Sequence, residues 1–210
     1  MCINVKNKII DFDQDNRQVE SNLYKYYNSK NYNIASFAKG ELFFARPAVF
    51  NDSFDTSAKL ITPFDKFKTL IGWNEEKELG LNSHGICSFI ESDSVKNGRM
   101  WAFYANNYDG FAIEYDKVAL LNKYDMMRPL PVMYLEKPLD LDNLNLRLNI
   151  QGQSFYINDI ESDYHRLSDR LFQCLHLVKQ KQLWEDECEW RMIIGNHCCP
   201  EKFYQSNSCS

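Results

Sequence analysis

The stretch Trp184-Glu185-Asp186-Glu187-Cys188-Glu189-Trp190-Arg191 constrains its own surroundings more than any other part of the chain. Read as a β-strand with alternating faces, it sends Trp184, Cys188, Trp190, Met192 and Ile194 to one side, with only Asp186 out of character. Glu185, Glu187, Glu189 and Arg191 fall on the other. Three carboxylates in a row on one face repel one another, and repulsion combined with burial raises their pKa values. Either Arg191 and lysines from neighbouring elements neutralise that face, as in exposed ion pairs worth ~0–1 kcal/mol, or the face serves chemistry that needs fixed negative charge. A cationic transition state and a metal ion are the two obvious demands of that kind.

A chain of 210 residues with 44% hydrophobic content can bury one sizeable core, so a single domain is expected. The expected layout is a loose lead-in over 1–22, one catalytic-like domain over 23–195 with a loop-rich insertion at 137–158, and a truncated or divergent tail over 196–210. A net charge of -5 disfavours a nucleic-acid-coating role. No run approaches the ~18 apolar residues of a membrane span, and the opening Met1-Cys2-Ile3-Asn4-Val5-Lys6 does not start a signal peptide. A cytoplasmic protein with reduced thiols and no membrane partner is therefore expected. His197-Cys198-Cys199 with Cys209 lacks a framing Cys-x-x-Cys pair, and no metal site is expected there.

Along the chain, the aromatic run at 23–27 reads as a strand. Residues 31–39 read as a short helix with Ile34, Phe37 and Ala38 on one face, stopped by Gly40. Residues 42–45 read as a strand closed by Arg46-Pro47. Asn51 and Asp52 form turns readily, and Phe50 and Phe54 pin the loop that carries them. Strands are expected at 85–90, 111–115 and 132–135, and a short helix at 100–105 placing Trp101, Tyr104 and Ala105 on one face. Apolar residues at helical spacing from Ile160 to Val178 predict a helix over 159–182, with Asn158 as N-cap and Glu161 completing a capping box. His165 and His176, on or beside it, read as packed or exposed residues with no catalytic partner in view. The fold class that follows is α+β: a bent or split mixed β-sheet with flanking helices and the Glu-rich strand beside a cleft.

The order of motifs resembles the bacterial domain-of-unknown-function family 2971. It is carried by Leu-Tyr-Lys-Tyr at 23–26, Gly-x-Leu-x-Phe-x-x-Pro at 40–47 and Phe-Asn-Asp-x-Phe-Asp at 50–55. Ser88-Phe89, Met-Trp-x-x-Tyr-Ala-x-x-x-x-Gly-Phe-x-Ile-x-Tyr at 100–115 and Lys-x-x-Trp-x-x-Glu-x-Glu-Trp-Arg at 181–191 continue it. Ser53 stands where the family usually has Pro, and family members tend to carry one more strand after the position of Arg191. The family layout in turn looks like the ADP-ribosyltransferase fold, in which an early strand carries a basic residue, a middle strand Ser, Thr or Tyr, and a late strand the catalytic Glu. That resemblance puts Lys25 in the first place, Ser88 or Tyr104 in the second, and Glu187-Cys188-Glu189 in the third. It implies an NAD-using enzyme, an effector in bacterial conflict or phage defence.

Transfer from NAD passes through an oxocarbenium-like ribose, which a fixed carboxylate stabilises on the logic of glycosidases. Glu187 and Glu189 are the candidate catalytic pair, one to grip the ribose and one to orient the acceptor, whose identity is not readable. Tyr104 and Phe89 are candidates to stack the nicotinamide. Lys25 or Arg46 would meet the pyrophosphate. Asn51, Asp52, Trp101 and Arg191 complete the candidate site. Two other classes stay open: a metal-dependent nuclease using Asp52, Asp55, Glu187 and Glu189 with Lys181, and a non-catalytic ligand-sensing or partner-binding domain.

Overall fold

Runs rich in Tyr, Phe, Ile and Trp, each bounded by turn-forming residues, assemble into a five-stranded sheet in which every pairing is antiparallel. The computed structural model describes residues 9–11, 22–50, 52, 55, 60–70, 84–91, 96–123, 129–140, 142, 147–150, 153–156 and 175–194. In chain order the elements are β1 (Ile9–Asp11), β2 (Leu23–Asn28), α1 (Asn31–Ala38), β3 (Ile61–Thr62), α2 (Phe64–Leu70) and β4 (Gly85–Glu91). They continue with α3 (Gly98–Tyr104), β5 (Gly110–Tyr115), α4 (Lys117–Lys123), β6 (Leu130–Pro131), β7 (Met133–Leu135) and β8 (Leu139–Asp140). The last are β9 (Arg147–Ile150), β10 (Gln153–Tyr156), β11 (Val178–Gln180), α5 (Lys181–Trp184) and β12 (Glu189–Ile194).

The main sheet runs β5-β2-β4-β12-β6. Its register sets Leu23 against Glu91, Trp190 against Phe89 and Arg191 against Ser88. Period-2 alternation then gives the two faces different tasks. Leu23, Cys87, Phe89, Trp190 and Met192 join Leu42 and Leu120 in a buried core. Each large apolar side chain buried there contributes about 1.5–3 kcal/mol. The opposite face carries Tyr24, Tyr26, Ile86, Ser88, Ile90, Glu189 and Arg191. Smaller pairings surround the sheet: β11 with β7 in parallel, β3 with β8 in parallel, and β1-β9-β10. The class is thus α+β in one domain, with the parallel pairings confined to the small sheets.

Several expectations are corrected. The stretch 184–191 is not one strand: α5 ends at Trp184, Glu185–Glu187 form a 3-10 turn, Cys188 turns left-handed, and the ladder starts at Glu189. Of the strand expected at 42–45, only Ala45 pairs, through a bridge to Ile86. α1 forms and ends at Gly40 with φ +66, but its apolar stripe faces outward, Ile34 being 49% and Phe37 55% exposed. The C-terminal part of the helix expected over 159–182 is a 3-10 turn, Leu175–Leu177, followed by β11, because Val178–Gln180 find a partner strand in Met133–Leu135. Residues 157–174, with the expected cap at Asn158 and Glu161 and with His165, lie outside the described residues. Part of the insertion expected to be loop-rich forms the hairpin β9–β10, and Ile9–Asp11, within the expected lead-in, pairs with it in parallel. Among the described residues no helix is long and apolar enough to cross a membrane.

Candidate active site

Four segments bring charged side chains to the outer face of β12. The strand itself supplies Glu189 and Arg191, two residues apart and therefore on one face. The 3-10 turn before it supplies Glu187. Between the two carboxylates Cys188 adopts φ 44 and ψ 51, the left-handed region that disfavours a residue with a Cβ. β11 supplies Lys179, held at its place because Lys179 pairs with Tyr134 of β7. The last member, Asp55, is placed by a turn in which its N–H donates to the Asp52 carbonyl at 3.1 Å.

All five groups are buried. The Arg191 guanidinium donates from Nη1 and Nη2 to the two Asp55 oxygens, both at 2.7 Å. It donates to Glu189 from Nε at 2.8 Å and from Nη2 at 2.9 Å, and from Nη1 to the His176 carbonyl at 2.8 Å. Its five N–H groups are thereby all used. Lys179 donates to Glu187 at 2.7 Å and to Glu189 at 3.0 Å, and stands 3.6 Å from Asp55. The Tyr104 hydroxyl donates to the other Glu187 oxygen at 2.8 Å. The Glu189 N–H donates to the Tyr134 hydroxyl at 2.9 Å, which fixes the start of the strand.

The two neighbouring glutamates experience opposite electrostatics. Burial pushes Glu187 above its ordinary value against the pull of Lys179, and the adjacent Glu189 charge adds to the rise. Burial acts on Glu189 in the same sense, but Arg191, Lys179 and hydrogen bonds from Arg191 and Ser88 outweigh it and hold its carboxyl well below the usual range. Lys179 is raised: burial disfavours its charge, yet the carboxylates, Glu189 foremost, more than compensate. Three carboxylates against two cations leave one formal negative charge on the cluster.

This cluster forms one wall of a cavity of about 180 Å³, bordered also by Tyr24, Tyr26, Phe50, Met100 and Tyr104. α3 delivers Tyr104: Asn97 caps it by accepting the Arg99 N–H, Met100 anchors it in the core, and Trp101 meets Tyr26 edge-on at 5.1 Å. Of the residues singled out in the sequence, Ser88, Tyr104, Glu187, Glu189 and Arg191 converge on this wall. Lys25 and Phe89 border the cavity along their strands, but alternation sends both side chains to the far face. There the Lys25 ammonium lies 5.6 Å from the Tyr27 ring and 5.8 Å from the Phe89 ring and donates to the Ser88 carbonyl at 3.3 Å. The Phe89 ring packs edge-on against Tyr115 in the core. Trp101 stands behind Tyr26, Arg46 is exposed and off the cavity lining, Asp52 acts through the turn that carries Asp55, and Asn51 lies outside the described residues.

Sequence reasoning missed Lys179, which sat inside an expected helix, and saw Asp55 only as a metal ligand. Tyr134 carried no signal beyond its place in a strand. Among the described residues no group of His, Cys, Asp and Glu is arranged to hold a metal ion. The class defined by fold and site is thus an α+β protein with a buried, net-anionic ion cluster forming one wall of an aromatic-lined cleft. Residues 100–192 match the family described as "Protein of unknown function (DUF2971)". The matched span includes Tyr104, Lys179, Glu187, Glu189 and Arg191. No curated protein and no solved structure matches the chain.

Proposed function

We infer that the cleft is the active site of an ADP-ribosyltransferase-like enzyme that breaks the bond between nicotinamide and ribose in NAD. The observation that supports this most is the pair of adjacent glutamates with opposed environments. Glu189, fastened by Arg191 and Lys179, is a permanently ionised group, whereas Glu187 is raised and touches a hydroxyl that borders the cleft. Environments that drive two neighbouring carboxyls apart are how one site obtains both a fixed charge and a proton-handling group. On this reading Glu189 contributes the standing negative field as positive charge develops on the ribose, and Glu187 is the carboxylate that takes up a proton as the acceptor attacks. Nicotinamide is a neutral leaving group once its ring nitrogen takes the bonding electron pair.

The size of the cavity fits the reacting end of such a substrate. An apolar cavity of about 150 Å³ takes up benzene, so about 180 Å³ accommodates a nicotinamide ring and not a whole dinucleotide. Tyr24, Tyr26 and Tyr104 border that space, and the rest of NAD would lie outside it. A nuclease would need its carboxylates for a divalent ion, but Asp55, Glu187 and Glu189 are turned onto Lys179 and Arg191, which a metal would have to displace. The effector role in bacterial conflict implied by the family resemblance belongs to the same reading.

The test is nicotinamide release from NAD by the purified protein, with cell extract supplied as a source of acceptors. Release by wild type, with Glu187→Gln slower by ~10²–10⁴-fold, is the expected result for loss of a group acting on a proton. Silence of the wild type under those conditions sinks the proposal.

A further inference from the structure

We propose that Tyr104 is a catalytic proton relay to Glu187 and that the acceptor of the transferred group is a neutral hydroxyl, that of water or an alcohol. The proposal rests on the NAD reading of the same cleft and adds to it the acceptor class and a role for Tyr104 other than stacking.

Three observations carry it. First, the two oxygens of Glu187 are differently engaged: Lys179 holds one at 2.7 Å, and the Tyr104 hydroxyl holds the other at 2.8 Å. Both residues border the cavity, but Glu187 is 1% exposed with both oxygens engaged while Tyr104 is half-buried, so the phenol oxygen is the more open way from the cavity to the carboxylate. Second, the phenol is held in place. Its helix is capped by Asn97, anchored by Met100 and buttressed by the contact of Trp101 with Tyr26, which leaves its hydroxyl aimed at Glu187. Third, the cluster keeps one formal negative charge, which repels an anionic nucleophile such as a carboxylate or phosphate. A neutral hydroxyl meets no such repulsion. With a pKa near ~16 for water, it must lose its proton as it attacks, which is the service a relay supplies.

The step balances. The bond between ribose C1 and the nicotinamide nitrogen breaks, and nicotinamide leaves with the electron pair. The acceptor oxygen bonds to the same carbon and passes its proton to the Tyr104 oxygen, while the Tyr104 proton moves to Glu187. No oxidant, reductant or metal is required.

The experiment uses the full chain with NAD, comparing wild type, Tyr104→Phe and Glu187→Gln, with methanol or inorganic phosphate added and products identified by mass. Thermal melts establish that each variant is folded. Tyr104→Phe keeps the ring and loses only the hydroxyl, and it is expected to be slower by ~10²–10⁴-fold. In Glu187→Gln the relay has nowhere to send its proton, so adding Tyr104→Phe to it should cost nothing further. Wild-type rates in mixtures of light and heavy water should curve, as two protons in flight require. Free ADP-ribose alone assigns water, the methyl glycoside of ADP-ribose assigns an alcohol, and either fits. A phosphate ester formed in preference to both overturns the acceptor class. Undiminished turnover by Tyr104→Phe, or a linear isotope dependence, overturns the relay while leaving the NAD reading in place. A silent wild type takes down both.

Discussion

Replacing Arg191 by Met tests whether the ion cluster is as buried as its geometry implies. Met is unbranched and close enough in length to fill the guanidinium's path, so the change removes charge and donors more than volume. Five N–H groups are lost, four of them to Asp55 and Glu189 and one to the His176 carbonyl. Lys179 alone cannot replace them, since two of its protons already serve Glu187 and Glu189 and a third cannot stand in for five N–H groups. The cluster's formal charge goes from one negative to two, in a site where Arg191 is 1% exposed. Removing one partner of a buried ion pair costs about 3–5 kcal/mol because the other charge is left uncompensated. For a chain of 210 residues that corresponds to a fall in Tm of roughly 6–20 °C. Urea unfolding at neutral pH, followed by the fluorescence of buried Trp190, measures it. Adding Asp55→Asn and Glu189→Gln to the same variant should return part of the loss, since the stranded charges are then gone. A cost below ~1 kcal/mol, the range of exposed pairs, would refute the reasoning and mean that water reaches the guanidinium.

The remaining predictions concern pH and backbone strain. Glu189 is depressed below its ordinary value of 4.5, so its contribution to stability is complete above that pH and is lost as pH falls through the folded value. Glu187 is raised, so between 4.5 and its folded value the native state holds the extra proton and stability declines as pH rises. Unfolding free energies measured from pH 3 to 8 should accordingly lose an acid-side drop in Glu189→Gln and a decline above 4.5 in Glu187→Gln; identical profiles for the two variants would contradict the assignment. Cys188→Gly should stabilise the fold by ~1 kcal/mol, the scale of the left-handed penalty it relieves at φ 44, and equilibrium unfolding would expose the opposite sign at once. Gly110→Ala should destabilise by at least ~1–3 kcal/mol, because its Cβ would meet the backbone carbonyl oxygens of Tyr27 and Ala105 where β2 and β5 join; thermal melts report it.

Much of the sheet was legible because its strands are short aromatic and β-branched runs ended by turn residues. β2, β4 and β5 match their expected positions within about a residue at each end. The helix carrying Tyr104 was legible from the spacing of its apolar residues. What failed did so where tertiary partners decide. Val178–Gln180 carries helical spacing, yet pairs with β7, and nothing local distinguishes a strand of three residues from a turn of helix. Leu42 enters the core from a segment outside any strand, and among the described residues a single bridge at Ala45 is the pairing that β4 provides there. In α1 the spacing correctly marks a helix but leaves open which face is covered, and Ile34 and Phe37 are exposed.

The site was half legible, and the division has a physical cause. A row of like charges declares that something must compensate it, so Glu187 and Glu189 stood out from sequence alone. The compensating groups are not local: Asp55 lies 136 residues from Arg191, and Tyr104 lies 83 from Glu187. Alternation also grouped the right residues for an incomplete reason. Glu189 and Arg191 do share a strand face, but Glu187 arrives from a 3-10 turn across a left-handed cysteine. That break in the strand lets the two carboxylates be served unequally. Glu189 takes two cations, and Glu187 takes one cation and a phenol. Two glutamates on one regular face would titrate much alike. It is the unequal sharing of Lys179, Arg191 and Tyr104 that separates a fixed charge from a proton carrier, and the chemistry proposed for this cleft requires one of each.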